Sequence, residues 1–201
     1  MTAQASDSFR FEGEEYSIAG ENGAGLFEPA AFGFKPESRI TSCWKGYVCA
    51  YALRGDQLVL DGLLINHGEW RGRQYVAPPP IVFNGRQPAP CEKYDPFDHQ
   101  YSNVDLAVPF TGGLLLGADF IRELYVHMGF HPAWKYRKVR ELLFADGKLQ
   151  SQRDVSTQLA EIRTRFRNRS MSPADKSDGE VEAWIASTFS LSYEGWGLQV
   201  E

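Results

Sequence analysis

His127 and His131 stand four residues apart in YVHMGFHPAWKY, residues 125–136, and aromatic side chains crowd around both. Two imidazoles at this spacing can ligate one metal on a helix, where residues i and i+4 are neighbours. Here Gly129 lies between them and Pro132 follows His131, which pushes His131 out of the helical region. On a strand the pair would share a face yet stand roughly 13 Å apart. A divalent metal at His127 and His131 therefore needs a turn or bulge at Gly129. The expected arrangement has no cofactor and packs both rings among Tyr125, Phe130, Trp134 and Tyr136.

A second group lies in YDPFDHQY, residues 94–101. Asp95, Asp98 and His99 flank Pro96 in a loop, a geometry that can converge side chains. A carboxylate that orients an imidazole is the usual device of general-base sites and metal shells. The competing use of these residues is turn formation, with the carboxylates accepting backbone N–H groups. The candidates for acid–base chemistry are thus Asp95, Asp98, His99, His127 and His131. The candidates for ligand contact are the aromatic residues Tyr94, Tyr101, Tyr125, Trp134 and Tyr136.

The sequence contains no GxSxG, HExxH or GxxxxGK[ST], so the common hydrolase, zinc-protease and phosphate-loop chemistries have no signature. The glycine-rich stretches AGENGAG and TGGLLLG lack the strand–loop–helix setting that cradles phosphate. RGD at residues 54–56 falls in an expected hairpin turn. Four arginines, at 163, 165, 167 and 169, could grip phosphate, but a solvated helix face is the simpler reading.

These residues need elements to hold them. Phe11-EGEE-Tyr16, Leu53-RGDQ-Leu58 and Phe144-ADGK-Leu149 each set a short polar, Gly-bearing loop between β-type runs, which signals three hairpins. The run ITSCWKGYVCAYAL reads as one strand, with Ile40, Trp44, Val48, Ala50 and Ala52 on the core face. Cys43 and Cys49 would then stand about 20 Å apart along it. Residues 77–103 are proline-rich and read as a long ordered loop with IVF as an edge strand, a place to look for binding. LYVHMGF reads as strand, after a bend near Gly117–Asp119.

The period then changes. Val155, Leu159, Ile162 and Phe166 recur at helical spacing in residues 153–169, with Asp154 or Ser156 as cap. Residues 170–180 form a polar linker and residues 180–189 a short second helix. The expected fold is α+β: a predominantly antiparallel, hairpin-rich sheet, sandwich or barrel-like, with one long amphipathic helix and a short second helix in the C-terminal third. The expected division is a β-rich unit over residues 1–150 and a helical segment over residues 151–201.

With 201 residues, 43% hydrophobic and 13% aromatic, the chain can bury one substantial core. A net charge of −5 argues against general nucleic-acid binding. The polar start MTAQASDSF, the short apolar runs and three cysteines without metal spacing point to a cytoplasmic protein with no membrane segment. The composition favours a small binding protein that engages a protein partner, as a regulator or toxin-neutralising protein would. The alternatives are an enzyme with a His/Asp acid–base site, metal-assisted or not, and a small-molecule binder with an aromatic-lined β cavity. The sequence does not set the oligomeric state.

Overall fold

The structure, a computed structural model, describes residues 2–76, 78–91, 96–167, 185, 188–194, 196 and 198, without the side chains of 165–167. All three hairpins form. Strand β1 (Ser8–Phe11) turns through Glu12 and Gly13 into β2 (Glu14–Ala24), both turn residues having positive φ, as a type I′ turn requires. Strand β3 (Tyr47–Arg54) turns at Gly55 into β4 (Gln57–Ile65). A small hairpin follows, β5 (Glu69–Arg71) with β6 (Gln74–Val76), and then the two-residue edge β7 (Ala89–Pro90). Strands β8 (His99–Ala107) and β9 (Thr111–Phe120) lead to the third expected hairpin, β10 (Tyr136–Ala145) and β11 (Lys148–Asp154).

The large sheet runs β11-β10-β9-β2-β1-β3-β4-β8-β7, and β11 also pairs with β4 through Lys148 and Gln57. That contact closes the sheet on itself as a barrel. Among the described strands β1 and β3 are parallel and the other pairs are antiparallel. The interior is filled by large side chains, among them Phe9, Tyr51, Tyr101, Phe110 and Leu116, all buried. Phe27, Phe34 and Phe83 come from the connecting loops and stack edge-on or tilted over one end of this core. Tyr101 belongs to this packing. Its hydroxyl donates to the Ile81 carbonyl at 2.8 Å.

The α+β assignment is corrected to a mostly β fold, with 50% strand, 13% helical residues and a single helix of seven or more residues. That helix, α1 (Ser156–Arg167), is a strut rather than a layer. Val155, Leu159 and Ile162 put the expected stripe onto Trp134, Tyr136 and Val139, outside the barrel. Asp154 accepts the Ser156 N–H at 2.9 Å at its start. The physical reason for the correction is that the region read as helical still carries barrel: β11 crosses residue 150 and runs to Asp154 before the helix begins. Among the described residues no second helix of seven or more residues is seen, and most of residues 180–189, with the linker, lie outside them. None of the described helices is long and apolar enough to cross a membrane.

Two local expectations also change. Residues 40–46 form a turn rather than strand, with Gly46 at φ 74° and hydrogen bonds from Cys43 N to Ile40 O and Gly46 N to Cys43 O. Ile40 and Trp44, expected on the core face, therefore lie outside β3. Cys49 and Tyr51 fill the barrel, while Trp44 is 56% exposed. In the proline-rich region, IVF is no strand, and His99 already belongs to β8.

Candidate functional site

The chain leaves β9 at Phe120, makes a short 3-10 turn at Arg122–Leu124, and bends at Gly129, whose φ is 62°. After Pro132 a second 3-10 turn, Ala133–Lys135, feeds β10. LYVHMGF is therefore not a strand. The return path stacks His131 against Phe120 and Tyr125, with centroids 4.9 and 5.1 Å apart. His127 binds instead to the half-exposed Tyr125, Nδ1 lying 2.9 Å from the hydroxyl. Trp134 and Tyr136 are buried in the packing beneath α1. Arg163 clamps this turn by donating to the carbonyls of Trp134 and Tyr136 at 2.6 and 2.5 Å. Among the described residues no three His, Cys, Asp or Glu side chains group as metal ligands.

The cluster centres on a residue that sequence reasoning missed. Lys135 is fully buried, and its Nζ lies 3.3 Å from His131 Nδ1. Its other described neighbours are the rings of Trp134 and Phe189, at 5.4 and 5.5 Å. Burial lowers its pKa to about 8, because the charged amine loses its water. Burial, and then the charge of Lys135, lowers His131 to about 4. A lysine in an aromatic segment reads as a surface residue, so only the fold exposes this one.

Asp98 and His99 do not form the expected pair. The Asp98 carboxylate binds Arg39 and accepts the Tyr75 hydroxyl at 2.9 Å, while the Asp98 N–H donates to Asn66 Oδ1 at 3.0 Å. His99 opens β8 opposite Ile65, and its Nε2 is buried with no hydrogen-bond partner among the described residues. Tyr94 and Asp95 lie outside the described residues. Thus Asp98 and His99 meet the end of β4, whereas His127 and His131 meet β9 and the turn before β10.

The fourth histidine of the chain stands beside the first of these groups. His67, just past β4, is 3% exposed and packs edge-on to Phe34 at 5.5 Å. Its Nδ1 accepts the Lys35 backbone N–H at 2.9 Å, which fixes the ring proton on Nε2. Burial, and then nearby His99, lowers the His67 pKa and keeps the ring neutral. His67 lines a cleft of about 560 Å³ whose other walls include Gly33, Lys35, Arg71, Val76 and Ile81. The sequence signal was INHGEW: Asn and Gly around a histidine at the end of an apolar strand mark a chain reversal that can present its ring.

A second depression, of about 390 Å³, lies on the outer face of β1, β3, β4 and β8. Its buried carboxylate, Asp61, is already bound by Arg10 and Arg54, and Arg54 also reaches Asp105 at 3.0 Å. These charges satisfy each other, whereas the His67 cleft keeps a ring N–H without a described partner. Comparison with family models, with curated proteins and with solved structures finds no match for this chain.

Proposed function

We propose that this chain is a binding protein whose ligand seat is the cleft over His67. One observation carries the reading: a 560 Å³ recess combines apolar walls with a fixed, neutral imidazole N–H. Recesses of roughly 300–1,000 Å³ with a few placed polar groups are the usual seats of small organic ligands. The seat is lined by residues of the loop before β3 and of the loops and the β5–β6 hairpin that follow β4. Because Asp98 is held by Arg39 and Tyr75, the geometry gives no support to an Asp–His acid–base pair. The proposed setting is a reducing cytoplasm, supported by the absence of any disulfide among the described cysteines.

A ligand-observed NMR screen of small organic compounds tests the reading. Compounds should bind the native chain and lose binding to Val76→Trp, which fills the cleft. Hits unaffected by that change, or no hits at all, overturn it.

A protein partner is the second reading, favoured by Phe32, Trp70 and Val82, which are 44%, 50% and 56% exposed. Each adjoins in sequence a residue that lines the cleft. Aromatic and aliphatic groups around a recess suit a protein contact. A co-purified protein released by Trp70→Ser but retained by Val76→Trp would favour this reading.

A further inference from the structure

The cleft's polar groups differ in sign from the chain as a whole. Lys35 and Arg71 stand at its edge, and both turn to one carboxylate, Glu69, at 4.0 and 2.6 Å. Two cations against one anion leave a local positive excess on a protein of net charge −5. All three side chains are substantially exposed, so the excess is available to a ligand rather than consumed in a buried pair.

Deeper in, the histidine offers a donor and no acceptor. The Lys35 N–H occupies Nδ1, so the ring presents only Nε2–H to a ligand. A neutral N–H beneath two cations suits an acceptor that carries negative charge. A cationic ligand would meet the same excess with unfavourable sign, and Glu69 is already engaged by Arg71. The apolar lining is Val76, Pro78, Pro79 and Ile81, with no hydrogen-bonding side chain. Prolines also hold that wall in an extended shape that costs little entropy to keep.

Resting on the small-molecule reading above, we propose that the cleft binds an organic carboxylate: an apolar body against Val76, Pro78, Pro79 and Ile81, and a carboxylate accepting from His67 Nε2–H beside Lys35 and Arg71. The apolar body supplies burial and the carboxylate supplies orientation. Lys35 serves twice, since its backbone sets the histidine tautomer and its side chain contributes charge.

The test uses three probes sharing one body: 4-tert-butylbenzoate, 4-tert-butylbenzamide and 4-tert-butylbenzylamine. Binding is read by calorimetry and by the side-chain 15N signal of His67. The carboxylate should bind at least ten-fold tighter than the amide, with the amine weakest, and its binding should shift the Nε2 signal. His67→Phe, which keeps the packing on Phe34, and Arg71→Gln, which is exposed, should each weaken the carboxylate ten-fold or more. The amide, whose carbonyl also accepts from Nε2–H but carries no charge, should lose less in each variant than the carboxylate does. Equal binding of carboxylate and amide, both lost in Val76→Trp, overturns the carboxylate inference and leaves the cleft reading standing. Failure of all three probes to bind in a Val76→Trp-sensitive way overturns both.

Discussion

Lys135 Nζ lies 3.3 Å from His131 Nδ1, and the amine has no carboxylate partner among the described residues. Folding therefore carries a cation into an apolar site with no described counter-charge. The amine's pKa falls from 10.5 to about 8. Below pH 8 folded and unfolded chains both bind the proton, and the penalty is complete. Between pH 8 and 10.5 only the unfolded chain binds it, so this group's contribution to stability rises with pH. The shift corresponds to a penalty of about 3 kcal/mol. Lys135→Met should therefore be more stable than the native chain at pH 7, by about 1–3 kcal/mol. The gap should narrow by pH 9.5. Guanidinium denaturation at both pH values checks this, and a constant gap would refute it.

His131 predicts the acid side. Its pKa of about 4 lies below the ordinary 6.5 because burial, and then Lys135, oppose its charge. As pH falls from 6.5 towards 4, the unfolded chain takes up a proton that the folded chain refuses, and stability declines. His131→Phe removes this titration and keeps a ring against Phe120. Its loss of stability between pH 7 and 4.5 should be smaller than that of the native chain by about 1–2 kcal/mol. Urea curves at the two pH values measure the difference.

Barrel closure rests on a turn with little room. Gly147 has φ 74°, its carbonyl accepts Leu58 N–H at 2.7 Å, and an added Cβ would stand 2.2 Å from the Val108 carbonyl oxygen. Gly147→Ala should cost about 2 kcal/mol or more, combining left-handed strain with a backbone clash. Gly13 has φ 80° but open space around it, so Gly13→Ala should cost only about 1 kcal/mol. Equal urea midpoints for the two variants would contradict the closure argument.

The cysteines should react in order. Cys43 and Cys49 are 2% and 0% exposed, and burial raises both thiol pKa values. Cys91 is half-buried. A chromogenic disulfide reagent at pH 8 should label Cys91 first and the other two only as the chain unfolds. Rapid labelling of Cys49 in the native protein would show that the barrel interior opens.

The hairpins were legible because turn chemistry is local: Glu12–Gly13 and Asp146–Gly147 advertise positive φ wherever the chain goes. Of the rings that pack on His131, Tyr125 was legible from its nearness in sequence, whereas Phe120 comes from the end of β9. Lys135 and His67 were not legible. What buries Lys135 includes Phe189, and what fixes the His67 proton is the backbone of Lys35. Neither partner can be assigned by counting along the sequence. The helical stripe at Val155, Leu159 and Ile162 was real, but its extent depended on β11 claiming residues as far as Asp154.

The strand order also sets a timetable for synthesis. Ser17 pairs with Gly117, so the outer edge of β2 has no neighbour until β9 leaves the ribosome. At about 5–20 residues per second, that edge stands bare for about 5–20 s. During this interval the parallel partner β3 can dock on the other side of β1, leaving an open sheet with one unprotected margin. That edge is covered once β9 arrives, and the ring itself closes last, when Lys148 reaches Gln57.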